Sequence, residues 1–188
     1  MSSTNLNKLS GLAALLGGLA WAAWGGLLAL RPAGVPGRPH RDGDGLEIYL
    51  VTGVVLITVG LVGFYFRQAR RFEGRGKVPF VIGIAGSLIM VGGWGLTFAS
   101  EQFWMVGMLG YFALFIGMLL AGLRLLVGTD STRWTGALLI AASLALITFN
   151  TEDWRAWLAV PFGLAWVLLG YTLWSDQART LQARLNPA

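Results

Sequence analysis

Six long apolar runs dominate this chain of 188 residues and restrict what it can fold into. A helix needs about 20 apolar residues to cross a bilayer, whose hydrocarbon core is about 30 Å thick. Strands that do not close into a barrel would leave backbone polar groups unpaired in lipid. The pattern therefore predicts an all-α fold: a polytopic membrane helical bundle with six transmembrane helices arranged as three helical hairpins in one domain. The runs cover about residues 9–30, 48–66, 78–99, 103–123, 134–149 and 157–174.

The fifth run is the shortest of the six. It crosses a bilayer only if Trp134 and Asn150 lie at the two interfaces or if the bilayer is locally thinner.

The composition narrows the class of protein further. Only 12% of the residues are charged, about half of what a soluble domain carries. The chain has no cysteine, which excludes disulfides, thiolate metal sites and thiol nucleophiles. Basic residues flank the apolar runs instead of forming one patch, so we interpret them as orientation signals rather than a nucleic-acid surface. We expect the partners to be membrane lipids and either further copies of the chain or other membrane subunits.

A basic segment at 67–77 fixes the predicted orientation, because Lys and Arg are retained on the cytoplasmic side of a membrane. With this loop inside, ten Lys/Arg residues fall on its side and four on the opposite side. The sequence thus predicts a multi-pass protein of the plasma (inner) membrane with both termini cytoplasmic. The Pro- and Gly-rich loop 31–47 is then outside, and the tail 176–188 is cytoplasmic. The topology-determining residues are Arg67, Arg70, Arg71, Arg75 and Lys77.

Small residues recur every four positions in two of the runs, a pattern that lets a neighbouring helix approach closely. Two interpretations stay open: packing inside the bundle, or docking of a partner subunit on the first helix. The residues are Ser10, Ala14, Gly18, Ala22 and Gly26 in the first run, and Ala113, Gly117 and Ala121 in the fourth.

The nine tryptophans divide into two sets by position. Those at the ends of runs are expected at the headgroup region, which suits the amphipathic indole. The deeper ones either pack the bundle and face lipid, or line an apolar pocket for a lipid tail, quinone or carotenoid. The end set is Trp104, Trp134, Trp154, Trp157 and Trp174, and the deep set is Trp21, Trp24, Trp94 and Trp166.

Ionisable residues are missing from the centres of the apolar runs, whereas ion-coupled transporters and proton relays place such groups there. The one histidine, His40, lies in the outer loop, and both Lys8 and Lys77 flank runs. We therefore expect neither haem nor retinal. The cofactor stays unknown, with bound lipid left open.

The outer loop holds the densest group of polar residues. Asp42, Asp44 and Glu47 are oxygen ligands of the type that calcium prefers, but they match only a fragment of an EF-hand loop. A solvated turn is the alternative. We identify no catalytic residue, because neither a nucleophile nor an oxyanion site accompanies His40.

The Gly- and Leu-rich runs Gly53–Gly63 and Gly163–Gly170, together with three predicted two-helix units, resemble the HdeD-type small membrane proteins. That resemblance implies six helices built from short repeats, an association with bacterial acid resistance and no established catalytic residues. We expect a non-enzymatic integral membrane protein, either an accessory subunit of a membrane assembly or an HdeD-like stress-related factor. The alternatives are a small oligomeric transporter or channel, which would need a pathway along Thr and Ser side chains, and a membrane enzyme acting at the outer face.

Overall fold

The computed structural model describes residues 3–30, 46–68, 74–97, 100–127, 130–151 and 153–185. The predicted all-α class is confirmed for these residues, which form α-helices and short 3₁₀ helices and contain no strand. The 3₁₀ helices are Gly74–Lys77, Glu101–Phe103 and Trp154–Leu158. The α-helices are α1 (Ser3–Ala29), α2 (Glu47–Gln68), α3 (Val78–Thr97), α4 (Trp104–Leu126), α5 (Asp130–Thr148) and α6 (Ala159–Leu185).

Five of these helices are long and apolar enough to cross a membrane: α1, α2, α3, α4 and α6. The apolar part of α5 covers only Arg133–Thr148. The length and composition of these five helices are consistent with an integral membrane protein. α5 stands apart, because its apolar part is shorter than theirs.

α1 and α6 extend farthest beyond the apolar runs that predicted them. α1 begins at Ser3, and α6 continues through the predicted tail as far as Leu185. The sequence between Trp174 and Leu185 contains Leu, Gln, Ala and Arg but neither Gly nor Pro. Most of these residues favour helix, so no local signal ends α6 where its apolar run ends.

The helices pack in chain order around one apolar core. The most extensive contacts join α3 to α4, α1 to α6 and α1 to α2, and contacts of α4 with α5, α5 with α6 and α2 with α3 complete the ring. All six helices contribute to the core. Its largest fully buried side chains include Trp21, Trp166, Phe80, Phe162, Met90, Leu114 and Met118.

Glycines set how closely the helices approach, because without a Cβ two backbones can come into contact. A Cβ placed on Gly93 of α3 would lie 2.6 Å from Cα of Gly107 in α4, and one on Gly117 would lie 2.8 Å from the carbonyl oxygen of Pro79. The α3–α4 pair is therefore antiparallel and in backbone contact over much of its length.

Candidate functional site

The first two residues of the small-residue face of α1, Ser10 and Ala14, pack against α2. Ser10 lies directly against Gly63, and a Cβ on Gly60 would lie 2.6 Å from Cβ of Ala14. The Ser10 hydroxyl donates a hydrogen bond of 2.8 Å to the carbonyl oxygen of Leu6, one turn earlier in the same helix. The polar atom of this face is thus paired within α1.

The same face continues against α6 rather than α2. A Cβ on Gly18 would lie 2.7 Å from the backbone nitrogen of Val167, and one on Gly163 would lie 2.7 Å from the backbone nitrogen of Ala22. Gly26, at the end of the face, has the Cγ2 atom of Val160 as its nearest neighbour, 3.8 Å from a Cβ built there. The face that sequence analysis offered to a partner is therefore in contact with two helices of its own chain.

The small face of α4 is likewise in contact within the chain. A Cβ on Gly86 of α3 would lie 2.9 Å from Cβ of Ala113, and Gly117 meets Gly83. Ala121 is buried. By contrast, a Cβ on Gly92 or Gly95 of α3 would meet nothing within 4 Å, and α3 is the least buried of the five long spans.

The deep tryptophans pack against aromatic rings. The ring of Trp21 lies 4.8 Å from that of Phe162 in α6 and 5.6 Å, edge-on, from that of Trp24. The Trp24 ring lies 5.5 Å from that of Phe149, just past the end of α5. Such aromatic pairs contribute about 0.5–1.5 kcal/mol each beyond the area that they bury. These rings tie α1 to α6 and to the end of α5.

The other two deep tryptophans differ in exposure. Trp166 is buried as fully as Trp21, whereas Trp94 is half-buried and packs 6.4 Å from the ring of Tyr111. The indole N–H groups of Trp21 and Trp166 have no hydrogen-bond acceptor among the described residues. An unpaired buried donor costs about 1–3 kcal/mol, which the packing of these two large rings has to offset.

Hydroxyl side chains along the helices donate hydrogen bonds to carbonyl oxygens three or four residues earlier in their own helix. This back-bonding pairs each hydroxyl hydrogen inside its own helix. A transport pathway would need these groups directed toward a solute. The side chains are those of Ser10, Thr58, Ser87, Thr97, Ser143, Thr148 and Thr172.

Tyr111 makes a different kind of hydrogen bond, which sequence analysis missed. Its buried hydroxyl donates to the carbonyl oxygen of Leu146 and so joins α4 to the last turn of α5. The backbone N–H of Phe149 donates to the same oxygen at 3.2 Å. A tyrosine inside an apolar run signals a buried hydroxyl that needs a partner, but the sequence does not reveal which helix supplies it.

The tryptophans predicted at helix ends are exposed, and two of them, Trp154 and Trp157, are close in sequence to an ion pair between Asp153 and Arg155. Asp153 accepts a hydrogen bond of 2.8 Å from the backbone N–H of Arg155 and caps the 3₁₀ helix Trp154–Leu158. Its carboxylate also lies 2.7 Å from a terminal guanidinium nitrogen of Arg155. The exposed tryptophans are Trp104, Trp134, Trp154, Trp157 and Trp174.

Only part of the predicted basic and acidic loops falls within the described residues. Arg67 lies in the last turn of α2, and Arg75 and Lys77 lie in the 3₁₀ helix before α3. Glu47 is the first residue of α2. Among the described residues, no three His, Cys, Asp or Glu side chains lie close enough together to hold a metal ion. Outside the described ranges lie Arg70, Arg71, Asp42 and Asp44.

Comparisons with known protein families, with curated proteins and with solved structures gave no match.

Proposed function

We propose that the chain is a non-enzymatic integral membrane protein that acts as a structural or accessory subunit of a membrane assembly. The HdeD-like stress-related role is the variant of this proposal in which the protein acts alone or as a homo-oligomer.

The observation that carries the proposal is how the polar groups of the helices are used. The back-bonded hydroxyls are paired within their own helices, and the interior between the helices holds large apolar side chains such as Trp166, Phe162 and Met118. Moving a polar solute through such an interior would require breaking hydrogen bonds and displacing packed rings. A role through contact with other membrane components fits this interior better than transport.

The proposed location is the plasma (inner) membrane with both termini cytoplasmic. This rests on the ten-to-four distribution of Lys and Arg between the two sides. The contact of Gly11 in α1 with Gly170 in α6 supports a common side for both termini, since it brings the start of α1 and the end of α6 to the same end of the bundle.

The test is gentle detergent extraction from the membrane that makes the protein, followed by native mass spectrometry of what co-purifies. We expect a defined complex with another membrane protein. A lone protomer or a homo-oligomer would reject the accessory role and leave the HdeD-like variant. Should a complex appear, the outward face of α3 around Gly92 and Gly95 is the first surface to mutate.

A flux assay separates the proposal from a transporter. Purified protein in liposomes should move no ions or small solutes above the level of empty liposomes. Solute movement that depends on the protein would overturn the proposal. A solute could pass only if the hydroxyl hydrogen bonds broke and the packed core side chains moved apart.

A further inference from the structure

A basic residue of α4 lies on the face of that helix that contacts α3. A Cβ on Gly117 of α4 would lie 2.8 Å from the carbonyl oxygen of Pro79, near the start of α3. Arg124 follows Gly117 by seven residues, which is close to two full turns, so both lie on the same face of α4. Arg124 therefore extends the α3-contacting face of α4 beyond the start of α3.

A second basic residue, Lys77, lies at the same end of the bundle, immediately before α3. Gly117 contacts the backbone of both Pro79 and Gly83, so it is level with the first turn of α3. From that level, Arg124 is about 10 Å farther along α4, and Lys77 is about 6 Å farther along its own segment. The two Cα atoms thus differ by about 4 Å in level. They belong to segments in backbone contact, so their long side chains can reach one anion.

The two cations border exposed apolar side chains, which sets their depth in a bilayer. Val78 and Val81 of α3 and Leu123 of α4 are each about half exposed. Arg124 lies two residues before the end of the α4 span that is apolar enough to cross a membrane. A charge within hydrocarbon is costly, so the Arg124 side chain has to extend from the apolar surface to the level of the lipid headgroups.

The opposite side of α4 is covered by α5. A Cβ on Gly122 would lie 2.8 Å from the carbonyl oxygen of Gly136 in α5. Arg124 comes two residues after Gly122 and is turned from it by about 200°, away from α5. Arg133 is another exposed basic residue at this end of the bundle, near the start of α5. It therefore lies across α4 from Arg124.

We infer that Lys77 and Arg124 form a binding site for the phosphate group of an anionic phospholipid. Arg forms paired hydrogen bonds with phosphate oxygens, and Lys adds a point charge. Basic groups between transmembrane helices bind anionic headgroups in this way. Free phosphate offers the same charged group, but only a phospholipid also places acyl chains on the exposed apolar side chains beside the two cations. The inference does not depend on the accessory role proposed above.

Lipid titration followed by native mass spectrometry tests the site in the purified full chain. We expect phosphatidylglycerol to bind more tightly than phosphatidylcholine with the same acyl chains, because the phosphatidylcholine headgroup has no net charge. Each basic residue should contribute about a fivefold gain in affinity for the anionic lipid. Equal affinities for the two lipids would overturn the inference. Displacement of phosphatidylglycerol by an equal concentration of inorganic phosphate would also overturn it, since free phosphate would then be the ligand.

Variants that each remove one charge test the location of the site. Arg124→Gln and Lys77→Gln should each weaken phosphatidylglycerol binding about fivefold and leave phosphatidylcholine binding unchanged. Arg133→Gln is the matched control, because it removes the same charge at the same end of the bundle but across α4. It should leave phosphatidylglycerol binding unchanged, and a loss as large as that in Arg124→Gln would contradict the inference. If a variant does not fold, the comparison of the two lipids in the unchanged protein still tests the inference.

Discussion

At the scale of single residues, Gly18 shows how one missing methyl group sets a helix–helix distance. A Cβ there would lie 2.7 Å from the backbone nitrogen of Val167, and backbone cannot move aside as a flexible side chain can. We expect Gly18→Ala to lower the stability of the bundle by about 1–3 kcal/mol through overpacking. The measurement is the unfolding midpoint in mild detergent. Gly92→Ala is the matched control, because a Cβ there meets nothing within 4 Å. Equal midpoints for the two variants would refute this account of α1–α6 packing.

Tyr111 tests a single hydrogen bond between helices. Tyr111→Phe removes its bond to the Leu146 carbonyl but keeps the ring, and Phe149 still donates to that oxygen. Interhelical hydrogen bonds in membrane proteins contribute on average about 0.6 kcal/mol and at most about 1.7. We expect a loss in this range, measured as the unfolding free energy in detergent. Tyr171→Phe, at an exposed position of α6, should change nothing. A loss in Tyr171→Phe as large as that in Tyr111→Phe would show that the hydrogen bond is not its cause.

At the scale of elements, the α1 face shows both the reach and the limit of sequence patterns. The four-residue spacing from Ser10 to Gly26 predicts close approach of a neighbouring backbone, and Gly18 is a position where a Cβ would meet one. Each step of four residues, however, turns a helix by about 400°, so the face drifts by about 40° per step. Over its whole length it rotates far enough to meet α2 at Ser10 and α6 at Gly18. Spacing alone does not identify the two neighbours, since that depends on contacts between distant parts of the chain.

The contact of the first helix with the last is such a distant pairing, and a disulfide can test it. A Cβ on Gly11 would lie 3.3 Å from Cβ of Leu173, near the usual range of about 3.5–4.5 Å for disulfides. We expect Gly11→Cys with Leu173→Cys to cross-link on oxidation. With a protease site inserted between α1 and α2, the cleaved fragments should run together on a denaturing gel until the disulfide is reduced.

The matched control for this cross-link is Leu12→Cys with Leu173→Cys, because the Leu12 side chain is half exposed whereas Gly11 is buried. Cross-linking of the control pair at the same rate would mean that α1 and α6 are not held in the observed register.

At the scale of the whole molecule, the number of helices was predictable from the sequence, but the start of α1 and the end of α6 lie well outside the apolar runs that predicted them. The apolar runs predict six helices, because a helix in lipid satisfies its backbone hydrogen bonds within itself. The short fifth run sets α5 apart from the other helices, but its neighbours are identified only by the Tyr111–Leu146 and Phe149–Trp24 contacts. Nothing in the local sequence specifies these pairings. The sequence likewise does not show that the indole N–H groups of Trp21 and Trp166 are buried without an acceptor, because their burial results from packing between helices.

The orientation of the whole bundle is the prediction with the widest consequence. Gln102 precedes α4 and Val127 follows it, and both are exposed at opposite ends of the same helix. Lys and Arg are retained on the cytoplasmic side, and the end of α4 near Val127 is the one that carries Arg124. In intact cells, a membrane-impermeant maleimide should therefore label Gln102→Cys, whereas Val127→Cys should react only after the cells are broken. The cysteine-free parent chain gives the background for both. Labelling of Val127→Cys alone in intact cells would contradict this orientation: both termini and the basic segment 67–77 would then face the outside.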